Sequence, residues 1–110
     1  MITAILYREG NNLTGCQIKG HSGWAESGND IVCAAASILG CTCVNALESV
    51  CGIYAVVTQN DDGILAFDLP DKDKENEKGQ ILMRALEQGL KDLSSERPKH
   101  VRLSIIERRK

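Results

Sequence analysis

The sequence predicts an α+β fold, a two-layer sandwich in which two helices pack on one face of a single, mainly antiparallel sheet. Five segments are rich in strand-forming residues with loosely alternating apolar side chains, and two longer segments carry apolar residues at helical spacing. Their order is strand, strand, helix, strand, strand, helix, strand. Because each helix has one apolar side and each strand is half apolar, two layers are the simplest way to bury all of them.

Length and composition are those of one globular domain spanning residues 1–110, with 43% hydrophobic and 25% charged residues. The formal net charge of -2 argues against a general nucleic-acid binder. We expect no signal peptide, no segment long enough to span a membrane, and a cytoplasmic location. The five cysteines are odd in number, which in such a compartment favours reduced thiols over a disulfide framework.

The first half of the chain predicts a hairpin followed by a long helix. Residues 2–8 and 13–20 are the strands, joined by the turn "EGNN", and a loop rich in glycine and serine covers 20–29. The helix starts near Asn29, with Asn29 or Asp30 as its cap, and closes at Gly52. Gly40 within it costs about 1 kcal/mol relative to alanine, so the helix requires tertiary support.

The second half repeats this order with a final strand. Residues 53–58 and 64–69 flank "QNDDG", a strong hairpin signal, and a charged connector leads to a helix over 80–93. Pro98 prevents its continuation, and 100–108 alternates as the last strand. The basic tail, Arg108 to Lys110, is interpreted as solvated.

Cys33 and His21 are the residues that point to chemistry. A helix starting near Asn29 places Cys33 in its first turn, where free N–H groups and the helix dipole favour a thiolate. His21 lies twelve positions earlier, across a loop that could fold back, and could act as the base and acid. Asp30 has a mixed effect, since its charge opposes a thiolate unless it caps the helix or orients the histidine. A buried structural cysteine beside an uninvolved histidine is the alternative.

Other residues around this pair admit two interpretations. Trp24 either anchors its loop to the core or forms a lid over a substrate, with Gly23 and Gly28 supplying mobility. Ser37, one turn beyond Cys33, either bonds back to a carbonyl or lines a site.

The remaining cysteines are expected to pack. Cys41 and Cys43 are two apart on the helix and point in different directions, and Cys16 and Cys51 are interpreted as apolar fillers. No paired C-x-x-C spacing supports a zinc site. A phosphatase loop is excluded because Leu39 stands where the arginine would be.

The stretch "GHSGWAESGNDIVCAAAS" resembles the signature of the ribosomal-processing cysteine protease family Prp. That signature has G-H-A, a spacer with an aromatic residue, G-x-D-I-V-C-A-A and a serine. Ten residues match it in spacing: Gly20, His21, Gly28, Asp30, Ile31, Val32, Cys33, Ala34, Ala35 and Ser37. Ser22 replaces the commoner alanine and Trp24 the commoner tyrosine. Length and element order extend the resemblance over the whole chain.

The resemblance implies a cytoplasmic, homodimeric cysteine endopeptidase. Its substrate would be the twenty-seventh protein of the large ribosomal subunit, from which it would remove an N-terminal extension during ribosome maturation. Cys33 would be the nucleophile and His21 the general acid and base, with Asp30 and Ser37 in support. An extended apolar peptide would bind across Gly20, Ser22, Gly23, Trp24 and Gly28. No cofactor, metal, membrane or direct nucleic-acid partner is implied.

Two other function classes remain open on the residues alone. One is a non-catalytic ribosome- or peptide-binding module of the same fold. The other is a thiol redox or metal-handling protein that uses the cysteine cluster.

Overall fold

The computed structural model describes residues 1–20, 29–61 and 63–108, with the backbone alone at positions 29 and 30. Seven main elements follow in the predicted order: β1 (Ile2–Glu9), β2 (Asn12–Lys19), α1 (Asn29–Cys51), β3 (Val56–Asp61), β4 (Ile64–Asp68), α2 (Glu77–Glu96) and β5 (Val101–Glu107). A short 3-10 turn, Asp71–Asp73, precedes α2. The five strands form one sheet in the order β3-β4-β2-β1-β5.

The sheet is mainly antiparallel, as predicted. β1 pairs antiparallel with β2, and β4 pairs antiparallel with both β2 and β3. The exception is β5, which runs parallel to β1 at the edge of the sheet. It can do so because α2 lies between β4 and β5 in the chain and supplies the long crossover that a parallel edge strand requires.

The core lies between the sheet and the two helices. On β1, Ile2, Ala4 and Leu6 alternate inward, and the partner of Leu6 on β2 is the buried Cys16. Because cross-strand partners share a face, the alternation on β1 sets which side of β2, β4 and β5 meets the helices. The helices contribute Val32, Ala36, Cys43, Leu47, Met83, Leu86 and Leu90 to the same core.

Helix α2 begins three residues earlier than the predicted Gln80. The Asn76 side chain accepts a hydrogen bond of 2.9 Å from the Gly79 N–H, which caps the helix one turn before its first apolar residue. Sequence periodicity marks only the apolar part of a helix, so it predicts the polar residues 77–79 as part of the charged connector. Gln80 is itself buried and bonds both backbone groups of Leu13 on β2, at 2.9 and 2.8 Å.

Helix α1 runs from Asn29 and ends as predicted at a glycine. Gly52 has φ +69° and donates its N–H to the Glu48 carbonyl at 2.9 Å, a left-handed helix end that suits glycine. The tertiary support expected around Gly40 is present. A Cβ built there would lie 2.7 Å from Leu65 Cδ2 and 2.9 Å from Ile18 Cδ1, so the helix backbone approaches the sheet closely at this residue.

The expectation that no segment reaches membrane-spanning length is wrong. Within α1, Ile31–Cys51 is 21 residues long with a mean hydropathy of 1.7, and 28% of that window is buried inside the structure. Alanine and cysteine supply much of this hydropathy with small side chains, so the segment scores as apolar without looking like a run of large residues. One side of the helix packs on the sheet and α2, and Ile31, Ile38 and Val50 are exposed.

The third strand is shifted toward the turn relative to the predicted 53–58. Gly52 ends α1, Ile53 is buried at 1% exposure, and pairing with β4 begins only at Val56. The polar residues Asn60 and Asp61 belong to the strand, opposite Leu65 and Ile64. Their turn-like composition placed them in the hairpin loop, whereas backbone pairing at a sheet edge does not require apolar side chains.

The interpretation of Arg108 as part of a solvated tail is also wrong. Its guanidinium lies 3.7 Å from the Tyr7 ring centroid and 2.6 Å from the Asp68 carboxylate. Gly15 makes room for this pair, because a Cβ there would collide with the Asp68 side chain. Arg108 therefore holds the end of β5 against the sheet face opposite the helices.

Candidate functional site

The structure describes some of the residues that the sequence singled out. Cys33 and Ser37 lie on α1, and Gly20 follows the end of β2. Asp30 lies in the first turn of α1, where only its backbone is described. His21, Ser22, Gly23, Trp24 and Gly28 lie outside the described residues, so the proposed pairing of His21 with Cys33 stays a prediction.

Cys33 opens onto a cleft of about 150 Å³ between α1 and one end of the sheet. Cys33 is the fifth residue of α1 and therefore begins its second turn. The sequence predicted it in the first turn. Side chains on a helix lean toward its N-terminus, which brings the thiol back toward the free N–H groups of the first turn. The cleft is lined by Ile2, Ile18, Gly20, Cys33, Ala36, Ser37, Cys41, Asn60, Asp61, Gly63, Ile64 and Leu65.

The rotation of α1 fixes which residues face the cleft. Val32 and Ala36 are buried at 2% and 1% exposure, which directs that side of the helix into the core. Cys33 and Ser37, each the next residue along, therefore lie on the neighbouring side, with Cys33 half-buried and Ser37 exposed. Of the two interpretations of Ser37, its position favours lining a site.

Gly20 closes the cleft at the end of β2. Its N–H donates to the Gly63 carbonyl at 2.8 Å, which ties the end of β2 to the β3–β4 turn. A Cβ at Gly20 would lie 2.9 Å from the Ile2 Cα and closer still to the end of its side chain. A larger residue would push β1 and β2 apart at the position from which the chain leads to His21.

Of the five cysteines, Cys16 and Cys43 are buried, Cys33 and Cys51 are half-buried, and Cys41 is exposed. Burial raises the pKa of both Cys16 and Cys43 to about 12, so these thiols remain protonated and unreactive at neutral pH. Cys43 packs with its sulfur 3.9 Å from the Met83 sulfur. Cys41 is exposed and lines the cleft, so the expectation that it packs is wrong. Cys43, two positions further along, lies on the core side of the helix instead.

The opposite wall of the cleft is not predicted by the sequence. Asn60, Asp61 and Gly63, at the β3–β4 hairpin, line the cavity together with Cys33. In the sequence, "QNDDG" indicates only a hairpin turn. Such a signal does not show which part of the fold the turn contacts. Within the described ranges, no three His, Cys, Asp or Glu side chains come together as a metal site.

Comparisons with solved structures show the same fold. The crystal structure of SMU.848 from Streptococcus mutans is 34% identical, with 98% of this chain and 96% of that chain covered and a TM-score of 0.90. The structure of an essential ribosomal processing protease Prp from S. aureus, in complex with a covalently linked product peptide, is 25% identical. The alignment covers 96% of this chain and 99% of that chain, with a TM-score of 0.83.

A second S. aureus Prp structure, in complex with a substrate peptide, is 23% identical and shows the likeness in fold, with a TM-score of 0.83 over 96% of this chain and 99% of that one. A search of the curated proteins finds no significant match. The sequence model of the cysteine protease Prp family matches residues 1–102. The half-buried Cys33 thiol, open to the cleft, accords with that match, and the chain belongs to the cysteine protease Prp family.

Proposed function

We propose that this cysteine protease removes the N-terminal extension of the twenty-seventh protein of the large ribosomal subunit during ribosome maturation. The observation that carries the proposal is the half-buried Cys33 thiol at the cleft between α1 and the β3–β4 hairpin. The similar S. aureus protein is a ribosomal processing protease that holds a covalently linked product peptide. A cysteine thiol that opens onto a surface cleft can attack the carbonyl carbon of a bound peptide, as this chemistry requires.

In the proposed mechanism the Cys33 thiolate attacks the scissile carbonyl carbon. A bond forms between sulfur and carbon, the carbonyl π electrons move to oxygen, and the resulting tetrahedral species collapses with cleavage of the C–N bond. His21, assigned by the family signature, gives its proton to the leaving amine and then takes one from the water that hydrolyses the acyl-enzyme. The free backbone N–H groups in the first turn of α1 are the candidate donors to the oxyanion.

We assign supporting roles to two further residues. Asp30 in the first turn of α1 would orient His21, and Ser37 would bond the substrate or a water molecule in the cleft, which it lines. Gly20 lines the cleft as well, and Ser22, Gly23, Trp24 and Gly28 would contact the peptide. These assignments, like the cytoplasmic location and the single domain over residues 1–110, stay predictions.

Cleavage of a peptide that spans the ribosomal extension tests the proposal. The wild type should release two fragments, detected by mass spectrometry, while Cys33→Ala should release none and Cys33→Ser almost none. The matched control is Cys51→Ala, which removes a half-buried thiol at the far end of α1 and should retain wild-type activity. An inactive wild type that still binds the peptide would favour the non-catalytic binding module. Tight zinc binding by the purified protein would favour the metal-handling alternative.

We also propose that the protein is a homodimer. An apolar groove between α1 and α2, of about 270 Å³, supports this. Ile38 lines it and is 65% exposed, and Leu39, Ala46 and Leu82 line it as well. An apolar groove that reaches the protein surface favours a protein contact. Ile38→Glu should convert the dimer to a monomer in sedimentation analysis, and Arg84→Glu on α2 is the exposed control.

A further inference from the structure

The sheet face opposite the helices, called the outer face, carries no further layer. Both helices pack on the inward face, and no other element in residues 1–20, 29–61 and 63–108 covers the outer one. Neighbours along a strand alternate and cross-strand partners share a face, so the outward residues follow from the inward Ala4 and Leu6 on β1. They include Thr3, Tyr7, Gln17, Lys19, Asp68 and Arg102. All six are polar or charged, which suits the outer face to a polar partner.

Arg108 forms one wall of a polar pocket of about 170 Å³ on the outer face. Its guanidinium lies 3.7 Å from the Tyr7 ring centroid, and its Nη1 donates to the Asp68 carboxylate at 2.6 Å. Tyr7 therefore covers one plane of the guanidinium and Asp68 bonds its edge, which leaves the second plane open to another planar group. Guanidinium planes and aromatic rings are the surfaces on which proteins stack the unpaired bases of RNA.

Two glutamine side chains bring amide groups to the same pocket, Gln17 from β2 and Gln59 from β3. The Gln17 Oε1 atom accepts a hydrogen bond of 3.4 Å from the Tyr7 hydroxyl, so its NH₂ group remains as a donor. The Gln59 side chain is exposed and bonds no other described residue. Because an amide can both donate and accept, these two side chains can bond the polar edge of a base.

The charges of the chain are divided unevenly between its layers. Helices α1 and α2 together carry six acidic and three basic residues, whereas residues 101–110 carry four basic residues and one acidic residue. On the outer face, Lys19 and Arg102 both pair with Thr3, about 13 Å along β1 from Tyr7. Both are exposed, and neither forms an ion pair with another described residue. The outer face thus has local cations for phosphate groups although the whole chain has a net charge of -2.

We propose that the outer face binds single-stranded RNA. A base stacks on the open plane of Arg108, Gln17 and Gln59 bond its edge, and Lys19 and Arg102 contact phosphates. An acidic protein would use the cations but neither the stacking plane nor the amide groups. The choice of RNA over DNA rests on the proposed function, because a ribosomal protein is presented beside RNA. The site lies on the face away from α1 and its thiol, so RNA can hold the enzyme while the cleft stays open to the peptide.

Fluorescence anisotropy with a labelled, unpaired RNA of about 12 nucleotides tests the proposal, at salt concentrations from about 50 to 200 mM. Arg108→Lys retains the charge without the plane and should weaken wild-type binding about 5-fold or more, as expected for one stacked base. Lys19→Ala and Arg102→Ala should each lower the slope of log K against log salt by about 0.7. The control Arg84→Ala removes an exposed arginine from α2 and should change neither quantity.

A second variant keeps the test valid if thermal unfolding shows that Arg108→Lys does not fold. Gln59→Ala, at an exposed position, should weaken binding about 2- to 10-fold through the lost hydrogen bonds. An equal loss in Arg84→Ala, or equal affinity for a duplex whose bases are already paired, would overturn the proposal. Displacement of the RNA by poly-glutamate at equal charge would also overturn it and would indicate an acidic protein as the partner.

The RNA site and the protease function fail in different ways. Cleavage of the ribosomal peptide by a wild type that binds no RNA at about 50 mM salt would overturn the RNA site alone. RNA binding by a wild type that cleaves no peptide would remove the protease function and leave the stacking and phosphate contacts of the outer face standing.

Discussion

The two helices are built differently although both cover the same sheet. On α2, Met83, Leu86 and Leu90 are buried at 0%, 3% and 0% exposure, and charged residues fill most of the outer side. Helix α1 has a core side of small residues, and its outer side exposes Ile31 and Ile38. The difference shows that α2 serves the core and one wall of the apolar groove between the helices, while α1 serves the core, the cleft and the other wall of that groove.

The core sides of the two helices should be energetically equivalent. Leu47 on α1 and Leu90 on α2 are both 0% exposed. Leu47→Ala and Leu90→Ala should each lower the free energy of unfolding by about 2–5 kcal/mol, because each leaves a cavity as well as removing apolar contacts. Urea unfolding measures this. A cost under 1 kcal/mol at Leu47 alone would show that α1 is not packed as a core helix.

Alkaline pH should lower the stability of the fold through the two buried thiols of the core. Burial raises the pKa of Cys16 and of Cys43 to about 12 in the folded protein, against 9.0 for a free cysteine thiol. Between these values the unfolded chain loses protons that the native state retains, so the contribution of these two thiols to stability is constant below pH 9 and falls as the pH rises. At pH 10 each buried thiol should lower the free energy of unfolding by roughly 1 kcal/mol.

Two variants sharpen that test. Urea unfolding at pH 8 and pH 10 measures how much the free energy of unfolding falls between the two pH values. Cys43→Ala should make this fall smaller by the contribution of one thiol, whereas Cys41→Ala, at an exposed position, should leave it unchanged. An equally smaller fall in both variants would contradict the assignment of the two cysteines to different environments.

The start of α2 depends on its cap. Asn76→Ala removes the acceptor of the Gly79 N–H and should cost about 1 kcal/mol. Asn76→Asp retains the acceptor and should cost much less, which thermal unfolding can compare. Equal losses in the two variants would show that the side-chain oxygen is not what holds the first turn.

The outer side of α1 should contribute least to the fold. Ile38→Ala should change the unfolding free energy of the monomer by no more than about 0.5 kcal/mol, because the side chain is 65% exposed. The same substitution in the proposed dimer should lower its association instead. Comparing unfolding at low and high protein concentration separates the two effects.

The sequence predicted most of the fold and one wall of the site. Apolar periodicity located both helices, and Gly52 marked the end of α1, since a left-handed helix end requires a residue without a Cβ. Periodicity missed the polar first turn of α2 and the polar end of β3, because the first is held by the Asn76 side-chain cap and the second by backbone pairing with β4, and neither by burial.

The second wall of the cleft lay beyond sequence reasoning. Asn60 and Asp61 are 27 and 28 positions after Cys33, and only the pairing of β3 with β4 brings them to the cavity. The predicted helix start and the preceding loop pointed to Cys33 and His21, but these residues alone left a structural cysteine as the alternative, and the resemblance to the family signature assigned the two residues their catalytic roles. The exposed position of Cys41 was not predicted, because the sequence does not show which side of the helix each of two nearby cysteines occupies.

The central claim is that Cys33 attacks the substrate from the cleft side of α1. Intact mass spectrometry of an acid-quenched reaction tests it most directly. We expect an adduct of the N-terminal product peptide, joined as a thioester to Cys33 and removed by hydroxylamine, in wild type and in Cys51→Ala but not in Cys33→Ala. Cleavage that persists in Cys33→Ala, or an adduct that maps to Cys41, would contradict it.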